Sequence, residues 1–292
     1  MKLDREQDAA VLIVLGQSNA HGHGTRLQPK QRIIEPLRHV HGLARAENQA
    51  YDLADVAWSG FTSYGMNLGE TQDHTCCLAN YFAIKWQQHI DAGNSLQLPD
   101  LYIIQISIGG QGIAAYEGYG NMWHMKRQPV LKPGNLFDVD ISLYPLTVQI
   151  LDKAMCNLQR SGKTPRVIGL HWNQWETEVD TGGSAILDAR ENYTSLFTGL
   201  RETIGSPFVI YLYQPLSDVF DDMRGLDVIE RVFADFAASD QFNIMDLRQS
   251  QLYNGELDDK GIFQKDGIHY HCRAQQWFSD HFFTQLFGNT SL

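Results

Sequence analysis

The chain has 292 residues, of which 43% are hydrophobic, 11% aromatic and 20% charged, which excludes a disordered chain, a collagen and a coiled coil. Its 23 basic residues against 34 acidic ones leave a formal charge of −11 with no Lys/Arg run, which argues against a nucleic-acid partner or an anionic membrane surface. Small neutral or sugar-like partners remain.

In chain order, a continuous apolar run at residues 11–15 predicts a strand covered on both faces, and a helical pattern follows over 74–90. A second strand is expected at 101–107. The clearest helix spans 142–160: Leu143, Leu146, Ile150, Leu151, Ala154, Met155 and Leu158 fall on one stripe, Pro145 sits in the first turn and Gly162 is placed to end it. Strands at 167–172, 208–213 and 242–246 then alternate with helical patterns at 187–204, 226–238 and 273–287. This alternation predicts a three-layer α/β/α sandwich around a mainly parallel, five-stranded sheet. No repeat, low-complexity tract or Ser/Pro-rich linker divides the chain, so one domain over 1–292 is expected. Two aperiodic stretches, roughly 25–72 and 109–140, are rich in Gly, Tyr, Trp and His and are the expected walls of a ligand crevice.

Four cysteines, two of them adjacent at Cys76 and Cys77, make no disulfide framework. Asp4, Glu6 and Asp8 precede a short apolar run with no small-residue cleavage site, unlike a secretory signal, and no segment reaches the roughly 18 apolar residues of a membrane span. The expectation is a soluble, cytoplasmic protein.

Four segments carry candidate chemistry. The first strand runs into Gly16, Gln17, Ser18, Asn19, Ala20, His21 and Gly22, which puts a serine at a strand end; the plain alternative is a turn with Ser18 or Asn19 capping the next helix. The second strand ends in Ser107, Ile108, Gly109 and Gly110, where paired glycines either let N–H groups approach a ligand oxygen or simply turn the chain. The third strand ends in His171, Trp172, Asn173, Gln174, Trp175 and Glu176, polar groups that need a crevice or a partner. Near the C-terminus, Asp266 lies three residues before His269; a serine hydroxyl needs a neutral imidazole to take its proton and a carboxylate to orient that imidazole, and this pair supplies both from one loop. Three His-x-His pairs (His21/His23, His39/His41 and His269/His271) raise a metal site as a competing reading, although they lack a tidy tetrahedral ligand set.

Taken in order, these four pieces resemble the SGNH (GDSL-like) hydrolases, and within them the sialate O-acetylesterase and acetylxylan esterase group, carbohydrate esterase family six. The resemblance rests on Gly-Gln-Ser-Asn-x-x-Gly at 16–22, Gly109 with Gly110, Trp-x-Gln-x-Glu at 172–176 and Asp-Gly-x-His at 266–269, about 25 residues in all. It implies the flavodoxin-like SGNH fold, Ser18 as nucleophile, His269 as general base and Asp266 as its orienting partner. It also implies an oxyanion hole from the N–H of Ser18, an N–H of the glycine pair, with Gly110 favoured over Gly109, and the side-chain amide of Gln174. Gln17, Asn19, Gly109, Trp172, Trp175 and Glu176 are the supporting or substrate-binding positions, with Glu176 bracing the nucleophile loop.

The chain departs from the family at Trp175, where glycine is usual. If that glycine has positive φ, the tryptophan strains the turn and misaims Gln174; alternatively it narrows the pocket or stacks on a sugar ring. The implied substrate is a small-molecule or oligosaccharide acetyl ester, with Trp58, Phe61, Tyr64, Tyr116, Tyr119 and Trp123 as candidate sugar platforms or as satellite core. No metal or organic cofactor is required. The alternatives are a short-chain esterase of non-carbohydrate esters and a non-catalytic carbohydrate-binding relative; the sequence is silent on oligomeric state.

Overall fold

The computed structural model describes residues 2–23, 25, 32–33, 35–43, 60–63, 77–93, 96–114, 119–120, 122–126, 130–131, 142–217, 223–253, 262–264 and 266–288. A seven-stranded sheet is built from β1 (Asp8–Gly16), β2 (Val40–Leu43), β3 (Phe61–Ser63), β4 (Leu101–Ser107), β7 (Thr164–Asn173), β8 (Ile210–Tyr213) and β9 (Phe242–Met245). A two-stranded ribbon pairs β5 (Tyr119–Gly120) with β6 (Val130–Leu131). The helices are α1 (Ser18–His21), α2 (Leu78–Asp91), α3 (Leu143–Arg160), α4 (Glu176–Thr181), α5 (Ser184–Leu187), α6 (Ala189–Ile204), α7 (Leu226–Ala237) and α8 (Cys272–Phe287).

The sheet order is β3-β2-β4-β1-β7-β8-β9, parallel throughout except for β3, which runs antiparallel to β2. All five expected strands are present, and the count of five is corrected to seven. The two additions lie at one edge, inside the stretch taken as aperiodic. They are three and four residues long, and His41 and Gly42 break the apolar run that marks a buried strand.

β1 is buried along its whole length, as a central parallel strand with helices on both faces must be. α2 packs with α8, while α3, α6 and α7 make the second helical layer. The stripe read from α3 is realised: Leu143, Ile150, Leu151, Ala154 and Leu158 are buried, joined by Thr147. Aromatic rings fill both layers. Phe82, Trp86, Phe282 and Phe283 cluster between α2 and α8, and Trp172, Tyr193, Phe197 and Phe233 cluster under α6. Among the described residues no helix is long and apolar enough to cross a membrane.

Candidate active site

Strand register decides where the motifs meet. Gly16, the last residue of β1, is paired with Ser107 at the end of β4 on one side and Asn173 at the end of β7 on the other. The loops leaving these three strands therefore emerge side by side at one edge of the sheet. β1 is also where the strand order reverses, since the chain builds β2 and β4 on one flank before returning to add β7, β8 and β9 on the other. Parallel α/β sheets open their ligand crevice at such a point.

Gly16 has φ +140°, and a Cβ there would stand 2.2 Å from the carbonyl oxygen of Asn173, so only glycine lets β1 end this close to β7. The Gln17 N–H donates to Asn173 O at 3.2 Å and the Ile108 N–H donates to Gly16 O at 3.2 Å, which ties the three loops together. Ser18 then opens α1. The helix has no side-chain cap, so neither Ser18 nor Asn19 serves the capping role considered from sequence. Gly109 passes so near that its Cβ would lie 3.4 Å from that of Ser18.

Asn19 uses its side chain to join the nucleophile loop to two others. Its Nδ2 donates to Glu176 Oε1 at 2.5 Å and to Ile268 O at 3.1 Å, and its Oδ1 accepts the Tyr270 N–H at 2.9 Å across 251 residues of sequence. Glu176 Oε2 accepts the Trp175 N–H at 3.1 Å. Burial pushes the Glu176 carboxyl up, and these hydrogen bonds and the nearby His269 oppose it in part. Glu176 thus ties the start of α4 to the segment that carries Ser18 through Asn19. Gln17 lies on the same side, its Oε1 accepting from Thr177 Oγ1 at 2.8 Å.

Asp266 and His269 form the pair read from sequence. Asp266 Oδ2 meets His269 Nδ1 at 2.8 Å, and Oδ1 accepts the N–H groups of Ile268 and His269, each at 3.0 Å. Desolvation alone would raise the Asp266 carboxyl, but these N–H donors and the imidazole outweigh it and hold it below the usual carboxylate range. With Nδ1 committed to a carboxylate, Nε2 is the ring nitrogen left for chemistry. The loop is pinned from behind: the Gln264 N–H donates to His269 O at 2.7 Å and Gln264 Nε2 donates to His23 O at 2.9 Å.

Ser18 and His269 line one cavity of about 1340 Å³, together with Gly109, Gly110, His23 and Ile268. No hydrogen bond joins the Ser18 hydroxyl to His269 in this structure; unliganded sites often close that contact only with substrate bound. The His23 ring lies 4.7 Å from that of His269, and burial first, then the charge of His269, lowers its proton affinity. Across the cavity stand Val179, Ile186, Leu187 and Met223, with Thr177, Asp180 and Arg224 as polar neighbours. Leu187 is 84% exposed at this cavity.

Three expected site residues sit elsewhere. Gln174 is fully buried, is not among the residues lining the cavity, and gives its amide to Glu178, so it is not aimed at an oxyanion here. Trp175 is 1% exposed and part of the hydrophobic core, so it neither narrows the pocket nor stacks on a sugar. Its φ of −162° is extended backbone open to any residue, and the strain feared at this position is absent. Trp172 is buried edge-on against Trp123, 5.0 Å between centroids, which places both in the core. Phe61 packs against Tyr102 at the sheet edge. Trp58, Tyr64, Tyr116 and the Tyr119 side chain lie outside the described residues.

Sequence reading took His23 only as half of a His-x-His pair and gave Thr177 and Glu178 no role of their own. Thr177 and Glu178 follow Glu176 in the same motif, and their alternation with it was the available signal. Among the described residues no group of three or more His, Cys, Asp and Glu side chains is arranged to hold a metal ion; His39 and His41 instead share Asp100, at 2.9 and 3.4 Å.

A scan against protein-family models finds no match, and no curated protein matches by sequence. Solved structures do match. A protein from Arabidopsis thaliana superposes with a TM-score of 0.61 at 13% identity, covering 95% of this chain and 98% of that one. NanS gives 0.60 at 13% identity over 97% of each chain. A carbohydrate acetylesterase from Xanthomonas citri gives 0.56 at 13% identity, covering 98% of this chain and 57% of the other. At such identities the likeness establishes the fold alone, an α/β architecture that this chain shares with these three structures.

Proposed function

We propose that the protein is a serine esterase that removes acetyl or other short acyl groups from O-acylated carbohydrates. The observation that carries this reading is the convergence of Ser18, from the first strand's end, with the Asp266–His269 pair, from the last loop, on the wall of one cavity. His269, neutral and held in one tautomer by Asp266, takes the Ser18 proton as the hydroxyl attacks the ester carbonyl. The backbone N–H groups of Ser18 and of the turn at Gly109 and Gly110 meet the oxyanion; each such donor is worth about 3 kcal/mol in the transition state of comparable enzymes. The acyl-enzyme is then released by water, with His269 again acting as base. Gln174 is left out of this hole because its side chain is buried away from the cavity. The carbohydrate alcohol is supported by the fold shared with the Xanthomonas acetylesterase and by the polar groups of Thr177, Asp180 and Arg224 on the cavity wall.

Release of p-nitrophenol from its acetate, compared between the wild type and Ser18→Ala, tests the reading. The expected result is a loss of at least about 1000-fold in the variant. Equal rates in the two proteins would remove the catalytic assignment.

A second reading, a short-chain esterase of apolar esters, is favoured by one observation: the far wall is aliphatic, and none of the described tryptophans, tyrosines or phenylalanines lines the cavity. Acetate release from an acetylated oligosaccharide, measured against the p-nitrophenyl acetate, butyrate and hexanoate series, separates the two.

A further inference from the structure

The chain leaving β4 passes Ser18 at Gly109, turns through Gly110 at φ +71°, and comes back at Gly112 and Ile113 against the start of α4. A buried carboxylate is one of the groups that hold it, beside the Ile108 N–H on Gly16 O and the Trp123 N–H on Gly112 O. Glu178 Oε1 accepts the Ile113 N–H at 2.6 Å, and Glu178 Oε2 accepts from the Gln174 amide. Gly112 is packed into the same spot: a Cβ there would lie 2.9 Å from Thr177 Cγ2 and 3.0 Å from Glu178 Oε1. Glu178 itself is 2% exposed and does not line the cavity, so it touches no substrate. Its neighbour two residues earlier, Glu176, does the matching work on the other side of the site, binding Asn19 beside Ser18.

We infer that Glu178 is a positioning residue that sets the glycine turn at the height from which its N–H groups reach the oxyanion, with Glu176 and Glu178 acting as paired struts for the two halves of the hole. The inference rests on the esterase reading for its chemistry. The reason a strut is needed is geometric: hydrogen-bond donors aimed at a developing charge lose most of their benefit when displaced by about 1 Å, and glycine-rich backbone holds no position by itself.

Three variants of the whole chain test this: Glu178→Ala, Glu178→Asp, which keeps the charge but withdraws it by one methylene, and Glu178→Gln, which keeps the reach and an acceptor for the Ile113 N–H. Two measurements are made on each, hydrolysis of p-nitrophenyl acetate and hydrogen–deuterium exchange of peptides spanning 108–114. The expected result is that Glu178→Ala lowers kcat at least about 10-fold with KM within about 3-fold and speeds exchange across 109–113. Glu178→Asp is expected to do the same to a smaller degree and Glu178→Gln to restore both readouts most of the way. If Glu178→Ala does not fold, the contrast between Asp and Gln decides. Unchanged exchange in the Asp and Ala variants would overturn the inference, as would faster exchange with kcat untouched or a loss carried by KM alone. Failure of the esterase reading shows separately, as activity that survives Ser18→Ala while the exchange result still reports on the strut.

Discussion

Trp175 stands where the resembling family carries glycine, and its side chain has gone inward. It lies in the core near the end of β7, fully enclosed, while its backbone keeps an extended φ. Restoring the family residue by Trp175→Gly therefore empties a tryptophan-sized volume from the core and relieves no strain. The expected outcome is a loss of at least about 3 kcal/mol in urea denaturation, with no gain in esterase rate. A variant as stable as the wild type would place the indole outside the core. The pairing of Asp266 with His269 and the meeting of Ser18 and His269 at one cavity were legible in the sequence because each of these residues belongs to a short motif. The burial of Gln174 away from that cavity was not, since its partner Glu178, four residues on, is set by packing. Buried hydrogen-bond partners are chosen in three dimensions, and residue order names the candidates without choosing among them.

At the level of elements, the site is made by loops and braced by α4. That helix begins at Glu176 and points two carboxylates, at 176 and 178, into polar but water-poor surroundings. Burial drives Glu178 up to about 7, against a value of 4.5 for an unperturbed glutamate. The group contributes its full stability below about pH 4.5, where both folded and unfolded chains hold the proton. That contribution is lost as pH climbs through 7, because the folded chain binds the proton more tightly than the unfolded one. Glu178→Gln removes the titration. The wild type should therefore lose stability relative to this variant between about pH 4.5 and 7, by on the order of 3 kcal/mol, read as diverging urea midpoints. A constant offset across that range would show that Glu178 does not titrate there. The strands β1, β4, β7, β8 and β9 and the long helices were readable from continuous apolar runs and a 3.6-residue stripe. β2 and β3 were not, since strands of four and three residues leave little pattern to read.

For the whole molecule, the arrangement is a sheet whose first strand is its centre. β1 pairs with β4 and with β7, and Ser18 just beyond its end shares a cavity with His269 from the loop that precedes the last helix. α8 in turn ties α1 to α2, with Gln275 donating to Asn19 O at 2.9 Å and accepting the Leu78 N–H at 2.9 Å. Among the described residues several acidic groups sit in exposed ion pairs, such as Arg38 with Asp91 and Arg231 with Asp227, which are worth little individually in water.

The position of β1 also bears on how the chain acquires its activity. A strand synthesised early must wait for its second neighbour until β7 has left the ribosome, and the proton acceptor for its serine arrives later still. A copy of the chain that stops short of residue 269 consequently holds Ser18 without the imidazole proposed to activate it. Joining parts this far apart in sequence is entropically slow, and the meeting of Ser18 with His269 waits on it.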